Sequence, residues 1–152
     1  MSLASVRTYL AEHAPDIEIV TLPMETSSVQ LAAEGHGVPT GQIAKTLSLR
    51  ANGGVFLLVA GGDARLDNKK AKARFGGKVS MLGPEDVVAL TGHPVGGVCP
   101  FGLATPLKIY CDISLRAHDE VVPAAGDRNS ALRIGTERMA QLVNAEWVDV
   151  CG

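Results

Sequence analysis

Apolar positions along this chain recur in short blocks whose spacing switches between the helical period and strict alternation. Leu3, Val6 and Leu10 fall at helical spacing in Ser2–His13 and are stopped by Pro15, which predicts an amphipathic N-terminal helix. Residues 17–22 read as a short strand. Ser27 and Ser28 can accept from the free amides of a helix through Glu34, which Gly35 and Gly37 end before a turn at residues 39–41. Residues 44–50 and 55–60 predict two strands joined around Asn52-Gly53-Gly54, a favourable hairpin connection.

Asp67 predicts a cap for a helix that runs through Lys69, Lys70, Lys72 and Arg74 to the Gly76-Gly77 stop, followed by a brief strand at residues 79–81. Pro84 and Glu85 suit the first turn of a helix ending near Leu90. Leu107, Ile109, Cys111 and Ile113 alternate with Lys108, Tyr110 and Asp112, a strand with one apolar face. Residues 121–124 and 131–134 read as strands flanking the turn 126–129, residues 136–143 as a last helix and residues 146–150 as a last strand. Strands and helices interleave irregularly and no repeat or linker interrupts them. The expected fold is therefore mixed α/β in one domain spanning residues 1–152, with a mixed sheet rather than a doubly wound parallel one.

Composition sharpens this. Of 152 residues 46% are hydrophobic, enough for a real core, yet no run approaches the roughly 20 apolar residues of a membrane span. The first ten residues lack a signal-peptide pattern, so a cytoplasmic protein is expected. Three cysteines, Cys99, Cys111 and Cys151, form no CxxC pair, and the four histidines show no ligand spacing, so neither a disulfide framework nor a metal site is expected. The net charge of -2 excludes a protein that grips long stretches of nucleic acid by its phosphates, and one Trp, two Tyr and three Phe supply little for base stacking.

Two segments hold candidate chemistry. From Thr91 to Gly102 glycine recurs at 92, 96, 97 and 102, with proline at 94 and 100, which no regular helix or strand tolerates. Such a loop is either a plain turn or a place where backbone N–H groups approach a ligand. Upstream, alternation puts Lys45 on the face of Leu47 and Leu49 and points Thr46 and Ser48 the other way. The lysine either lies at the rim with its ammonium in water or enters a pocket and meets an anionic or dipolar partner. Cys99 is a rival candidate, as a nucleophile activated by His93, His36 or His118, although spacing identifies no partner. Lys69, Lys70, Lys72, Arg74 and Lys78 form the one local basic concentration, either a solvated helix face or an RNA contact.

Read together, Gln42-Ile43-Ala44-Lys45-Thr46-Leu47 and Gly96-Gly97-Val98-Cys99-Pro100-Phe101-Gly102 resemble the two motifs of the YbaK/EbsC family of aminoacyl-tRNA deacylases, which includes the editing domain of bacterial prolyl-tRNA synthetases. The resemblance extends to the 28–38 helix and turn, Asp67 with Lys69 and Lys70, the Gly126 turn and residues 145–150. It implies a barrel-like mixed sheet with flanking helices, and a free-standing enzyme that hydrolyses the ester of misacylated tRNA, most often tRNA for proline. Physically, a second hydrolytic site is the remedy where a small synthetase pocket cannot reject near-sized amino acids by binding alone.

The same resemblance implies roles. Lys45, Gly96 and Gly97 are its catalytic residues. Thr46, Cys99, Pro100, Phe101, Gly102, Gly126 and Asn129 bind substrate, and Lys69, Lys70 and Lys72 are candidates for RNA contact. No cofactor is implied, nor DNA or a membrane. A cognate synthetase or an elongation factor is the implied protein partner. The chain departs from the cysteine-clearing branch at Val20-Thr21-Leu22, Ala124, Ala131 and Asn129, and from the alanine-clearing branch at Thr46, which leaves a small aliphatic or hydroxylated amino acid as the expected cargo. The two readings outside this class are an inert aminoacyl- or nucleotide-binding module and a Cys99-dependent ester or thioester hydrolase.

Overall fold

Asn52 and Gly53 carry φ of 50° and 78°, the pair of left-handed residues that lets a two-residue turn follow the twist of its strands. They join β2 (Ile43–Ala51) to β3 (Gly54–Gly61) in one antiparallel ladder from Ala44–Gly61 to Ala51–Gly54. Every other element of the computed structural model, which describes residues 2–152, is arranged about this hairpin.

On the far side of β3, β5 (Lys108–Asp112) and then β9 (Glu146–Val148) add in parallel. On the other side of β2 two short strands share one edge: β6 (Glu120–Pro123) pairs in parallel with Ile43 and Ala44, and β4 (Ser80–Met81) pairs antiparallel with Leu49 and Arg50. β8 (Ile134–Gly135) closes outside β6. The result is a curled, half-barrel mixed sheet of seven strands, β8-β6-β2-β3-β5-β9 with β4 beside β2. A separate ribbon of β1 (Ile19–Thr21) and β7 (Ser130–Leu132) meets β6 through an Ala124–Ala131 bridge. Between β6 and β4, residues 45–48 of β2 have no neighbouring strand on that edge.

Helices cover the sheet according to side-chain alternation. α1 (Ser2–His13) and α5 (Thr136–Leu142) bury Val6, Leu10, Met139 and Ala140 against Leu57, Val59, Ile109 and Cys111. α3 (Asn68–Phe75) packs Ala71 and Phe75 on the opposite face, against Leu49, Phe56, Leu58 and Tyr110. α2 (Val29–His36) sets Ala32 and Ala33 on Ile43, Val122 and Ala131. α4 (Pro84–Thr91) leads into the glycine loop. Caps stand where the sequence places them: Ser28 Oγ accepts from Leu31 N–H, and the Asp67 carboxylate accepts from Lys69 and Lys70 N–H. Among the described residues no helix is long and apolar enough to cross a membrane.

Three expectations change. The strand at Leu107–Ile113 stops at Asp112, because that buried carboxylate accepts from Ser114 N–H at 2.9 Å and Val150 N–H at 2.8 Å and starts a 3₁₀ turn, leaving Ile113 exposed. The strand at 131–134 divides into β7 and β8, which pair with different strands; between them Arg133 reaches the His36 carbonyl at 2.8 Å. Helix α2 passes through Gly35 and ends at Gly37, where φ is 69°.

Candidate functional site

The gap in the β2 edge opens into a cavity of about 280 Å³. Ile43 to Thr46 and Ser48 of β2 form its floor, the start of α2 (Ser27, Ser28, Val29, Ala32) one wall, and Val122, Ala124, Ser130 and Ala131 another. Met81, Leu82, Pro84 and Val87 stand at the β4–α4 end, and Val95, Gly96 and Val98 of the glycine loop close the side. Among the described residues only one ionisable side chain lines it, Lys45.

Thr46 is the polar centre of the floor. Its Oγ1 is buried and has no hydrogen-bond partner among the described residues. Its main chain faces the gap as well. Ser48 uses its outward carbonyl to accept from Leu82 N–H at 3.0 Å, and alternation in an antiparallel ladder turns the N–H and C=O of a residue two positions away to the same side. Buried polar groups are normally paired, so an orphan hydroxyl beside an open strand edge points to a ligand that completes it.

Lys45 is half-buried, and its ammonium donates to two backbone carbonyls of the loop after β3, Gly62 at 3.3 Å and Ala64. Both readings of this lysine are therefore partly realised: it enters a pocket wall and meets dipolar partners, with one of its three N–H donors left over. Burial pulls its pKa below the ordinary lysine value, opposed by Cys151 and Asp63 and reinforced by Arg65. The sequence reading did not single out Gly62, yet a Cβ there would lie 2.1 Å from the Thr40 carbonyl oxygen and 2.7 Å from Val29 Cγ1. Only glycine lets this loop approach α2 closely enough to receive the lysine. A glycine pair directly after a strand, Gly61-Gly62, was the available signal.

The glycine loop divides in two. Gly96, at φ 94°, presses so closely on Ser27 that a Cβ would stand 2.7 Å from Ser27 Cβ; it faces the cavity, and its N–H has no partner among the described residues. Gly97 is committed internally: its N–H donates to the Pro94 carbonyl at 2.9 Å and its carbonyl accepts from Gly126 N–H at 3.1 Å. Cys99, Pro100 and Phe101 are buried in the core beneath, and Gly102 and Gly126 pack on the α1 backbone at Ser5 and Ser2. None of these five lines the cavity. Asn129 stands outside it too, donating from Nδ2 to the Leu22 carbonyl at 2.8 Å and shaping the turn that carries Ser130.

The thiol reading meets an obstacle in depth. Cys99 Sγ lies 3.6 Å from His93 Nε2, a partner that spacing did not identify. Both side chains are 0% exposed, His93 Nε2 bonds the Phe101 carbonyl at 2.7 Å, and burial pushes the Cys99 thiol up to about 12. A thiol in that state is neither ionised nor reachable, so the pair is a strut under the loop. Of the basic helix, Lys69 and Lys72 are exposed and have no ion pair among the described residues, whereas Lys70 is held by Asp149 and the Cys151 carbonyl, each at 3.1 Å. Of the cavity walls, Ala124 and Ala131 were marked only through the resemblance, as positions that bear on the cargo, and Ser27, Val29, Ala32 and Ser130 were not legible as site residues.

Comparison with known proteins gives a consistent result. Residues 24–142 match the profile of the aminoacyl-tRNA editing domain. The chain is 43% identical to "Uncharacterized protein YwhH" of Bacillus subtilis over 99% of this chain and 98% of that one. It is 31% identical to "Putative Cys-tRNA(Pro)/Cys-tRNA(Cys) deacylase EbsC" of Enterococcus faecalis, over 81% and 76%. It is also 34% identical to a proline–tRNA ligase of Geobacter sp. (strain M21), covering 80% of this chain but 22% of the ligase. The crystal structure of "a putative trans-editing enzyme for prolyl tRNA synthetase" superposes with a TM-score of 0.92 at 33% identity, over 99% of this chain and 97% of that one.

Proposed function

The chain belongs to the aminoacyl-tRNA editing domain family and is an aminoacyl-tRNA deacylase, and from that premise we propose that it edits in trans, as one domain over residues 1–152, clearing a small wrong amino acid from tRNA for proline. The observation that carries the reading is the cavity at the β2 gap: small-walled, with an orphan hydroxyl on its floor and a single ionisable group at its edge. Its volume lies at the lower limit of ligand pockets, which suits an aminoacyl group rather than a base.

In this reading the side chain of the amino acid rests among Ala32, Ile43, Val122 and Ala131, and its ester carbonyl turns to the glycine loop. A water oxygen attacks the carbonyl carbon, the bond to the ribose oxygen breaks, and the proton from water passes to that leaving oxygen. Negative charge developing on the carbonyl oxygen is met by the Gly96 N–H, by the amino end of α2, and by the remaining Lys45 donor. Thr46 orients the aminoacyl group through its hydroxyl and its open main chain. An ester is activated enough that positioning and charge stabilisation serve without a nucleophile. Because net charge is -2, a synthetase that delivers the tRNA is the fitting partner.

Deacylation of tRNA for proline charged with alanine, cysteine, serine or proline, wild type beside Lys45→Ala, tests this. Selective loss of one mischarged species is expected, slowed by ~10²-fold in the folded variant. Near-wild-type turnover by Lys45→Ala removes the lysine from the mechanism. No hydrolysis above the spontaneous rate leaves either another tRNA as the target or a domain that binds without turning over.

A further inference from the structure

Most cations of this protein are neutralised on its own surface. Arg50, Lys70, Arg74, Lys108, Arg116, Arg128, Arg133 and Arg138 each have a carboxylate within 4.0 Å. Among the described residues the remainder without one are Arg7, Lys45, Arg65, Lys69, Lys72 and Lys78. Arg7 lies apart on α1 and Lys78 beyond the end of α3; the other four are connected. Lys45 stands at the cavity, and Arg65 is exposed in the loop whose Gly62 and Ala64 carbonyls hold the Lys45 ammonium, near enough for its charge to act on that ammonium. Lys69 and Lys72 follow, exposed, on successive turns at the start of α3, three apart and so on one face.

The acidic groups nearby are mostly occupied. Asp67 accepts the first α3 amides and Asp149 takes Lys70, while Asp63 has no hydrogen-bond or ion-pair partner among the described residues. We propose that Arg65, Lys69 and Lys72 form a track for the phosphates of the single-stranded 3′ end of tRNA, leading its terminal ester to the cavity at Lys45. This rests on the deacylase reading for what lies at the end of the track, and adds how the strand arrives. It places Arg65, which no sequence motif marks, on the path and takes Lys70 off it. A short track also accommodates a protein with no overall basic excess, since three contacts give modest, salt-sensitive affinity.

The experiment uses the Arg65→Ala/Lys69→Ala/Lys72→Ala variant of the full chain, with Arg7→Ala as a control on α1. Binding of deacylated tRNA for proline is titrated between 50 and 200 mM salt, and hydrolysis of a minimal aminoacyl-adenosine is measured alongside. Three single-strand contacts at ~0.7 each give a log–log slope of about 2, so wild type and Arg7→Ala lose roughly 20-fold in affinity over that range while the triple variant is nearly salt-independent. The Lys69→Ala/Lys72→Ala variant, which leaves the Arg65 charge beside Lys45 in place, keeps wild-type kcat/KM on aminoacyl-adenosine. An unchanged slope in the triple variant, no tRNA binding by wild type, or parallel loss of aminoacyl-adenosine hydrolysis in the double variant overturns the track. Absence of aminoacyl-adenosine hydrolysis in wild type with the slope difference intact instead overturns the deacylase mechanism and leaves the track standing.

Discussion

Replacing Thr46 by valine should make this protein more stable and less active at once. Valine keeps the branched shape and the strand preference of threonine and removes only the hydroxyl. That hydroxyl is buried with no partner among the described residues, a state that costs about 1–3 kcal/mol. Taking the lower end, relief of about 1 kcal/mol raises Tm by roughly 2–4 °C in a domain of this length. In the proposed reading the balance reverses with substrate bound, because the same hydroxyl would then pair with the aminoacyl group. Losing one such bond, about 1.4 kcal/mol at the upper end for neutral groups, lowers kcat/KM about tenfold. Scanning calorimetry of the two proteins, and single-turnover deacylation of the accepted mischarged tRNA, read the two effects separately. A fall in Tm, or an unchanged rate, would falsify the assignment of Thr46 as a group left open for substrate.

Three other outcomes follow from local geometry. A Cβ on Gly97 would stand 2.7–2.8 Å from the Asp127 backbone, which cannot yield as a flexible side chain would, so Gly97→Ala should cost about 1–3 kcal/mol and lower Tm correspondingly. Burial holds all three thiols at about 12 and leaves only Cys151 partly exposed, so iodoacetamide at pH 8 should label the native protein slowly and at Cys151 alone; mass spectrometry showing rapid Cys99 labelling would revive the thiol reading. The two-pronged bond from Arg138 draws the Asp16 carboxyl down to about 2. A depressed folded-state pKa stabilises above the unfolded value and is lost as pH falls toward the folded one. Asp16→Asn should therefore flatten the decline in Tm between about pH 4 and 2, and an unaltered acid limb would show that the pair does not contribute.

What the sequence disclosed, and what it withheld, divides along the range of the interactions involved. Ser28, Asp67, Gly76 and the Asn52-Gly53 turn act within a few residues, and each stands in the fold as capping and turn chemistry dictate. The parallel pairings of β2 with β6 and of β3 with β5 join segments some fifty residues apart or more, and no local rule names the partner. The split at Arg133 was hidden for the same reason, since it depends on the His36 carbonyl across the fold. In the site, Lys45 was legible as a cation beginning an apolar face, and Gly96 as part of a loop too rich in glycine to be idle. Phe101 and Cys99 fall in the same motif yet point into the core, a distinction of loop curvature that spacing does not encode. Ala32, Ala124 and Ala131 define the shape of the cavity while carrying no chemical signature at all.

Those alanines have an evolutionary consequence. They come from α2 and from the ribbon around β7, whereas Lys45 and Thr46 come from β2 and the carbonyls that hold the lysine come from the loop after β3. In the proposed reading the walls that measure the guest thus come largely from pieces of chain other than the strand that carries Lys45 and Thr46, Ile43 being the exception. One methylene added to or taken from such a wall changes discrimination by about 10- to 200-fold, and none of those changes touches the reactive edge. A lineage on this scaffold can move from one misplaced amino acid to another by single substitutions, keeping its chemistry while its clientele changes.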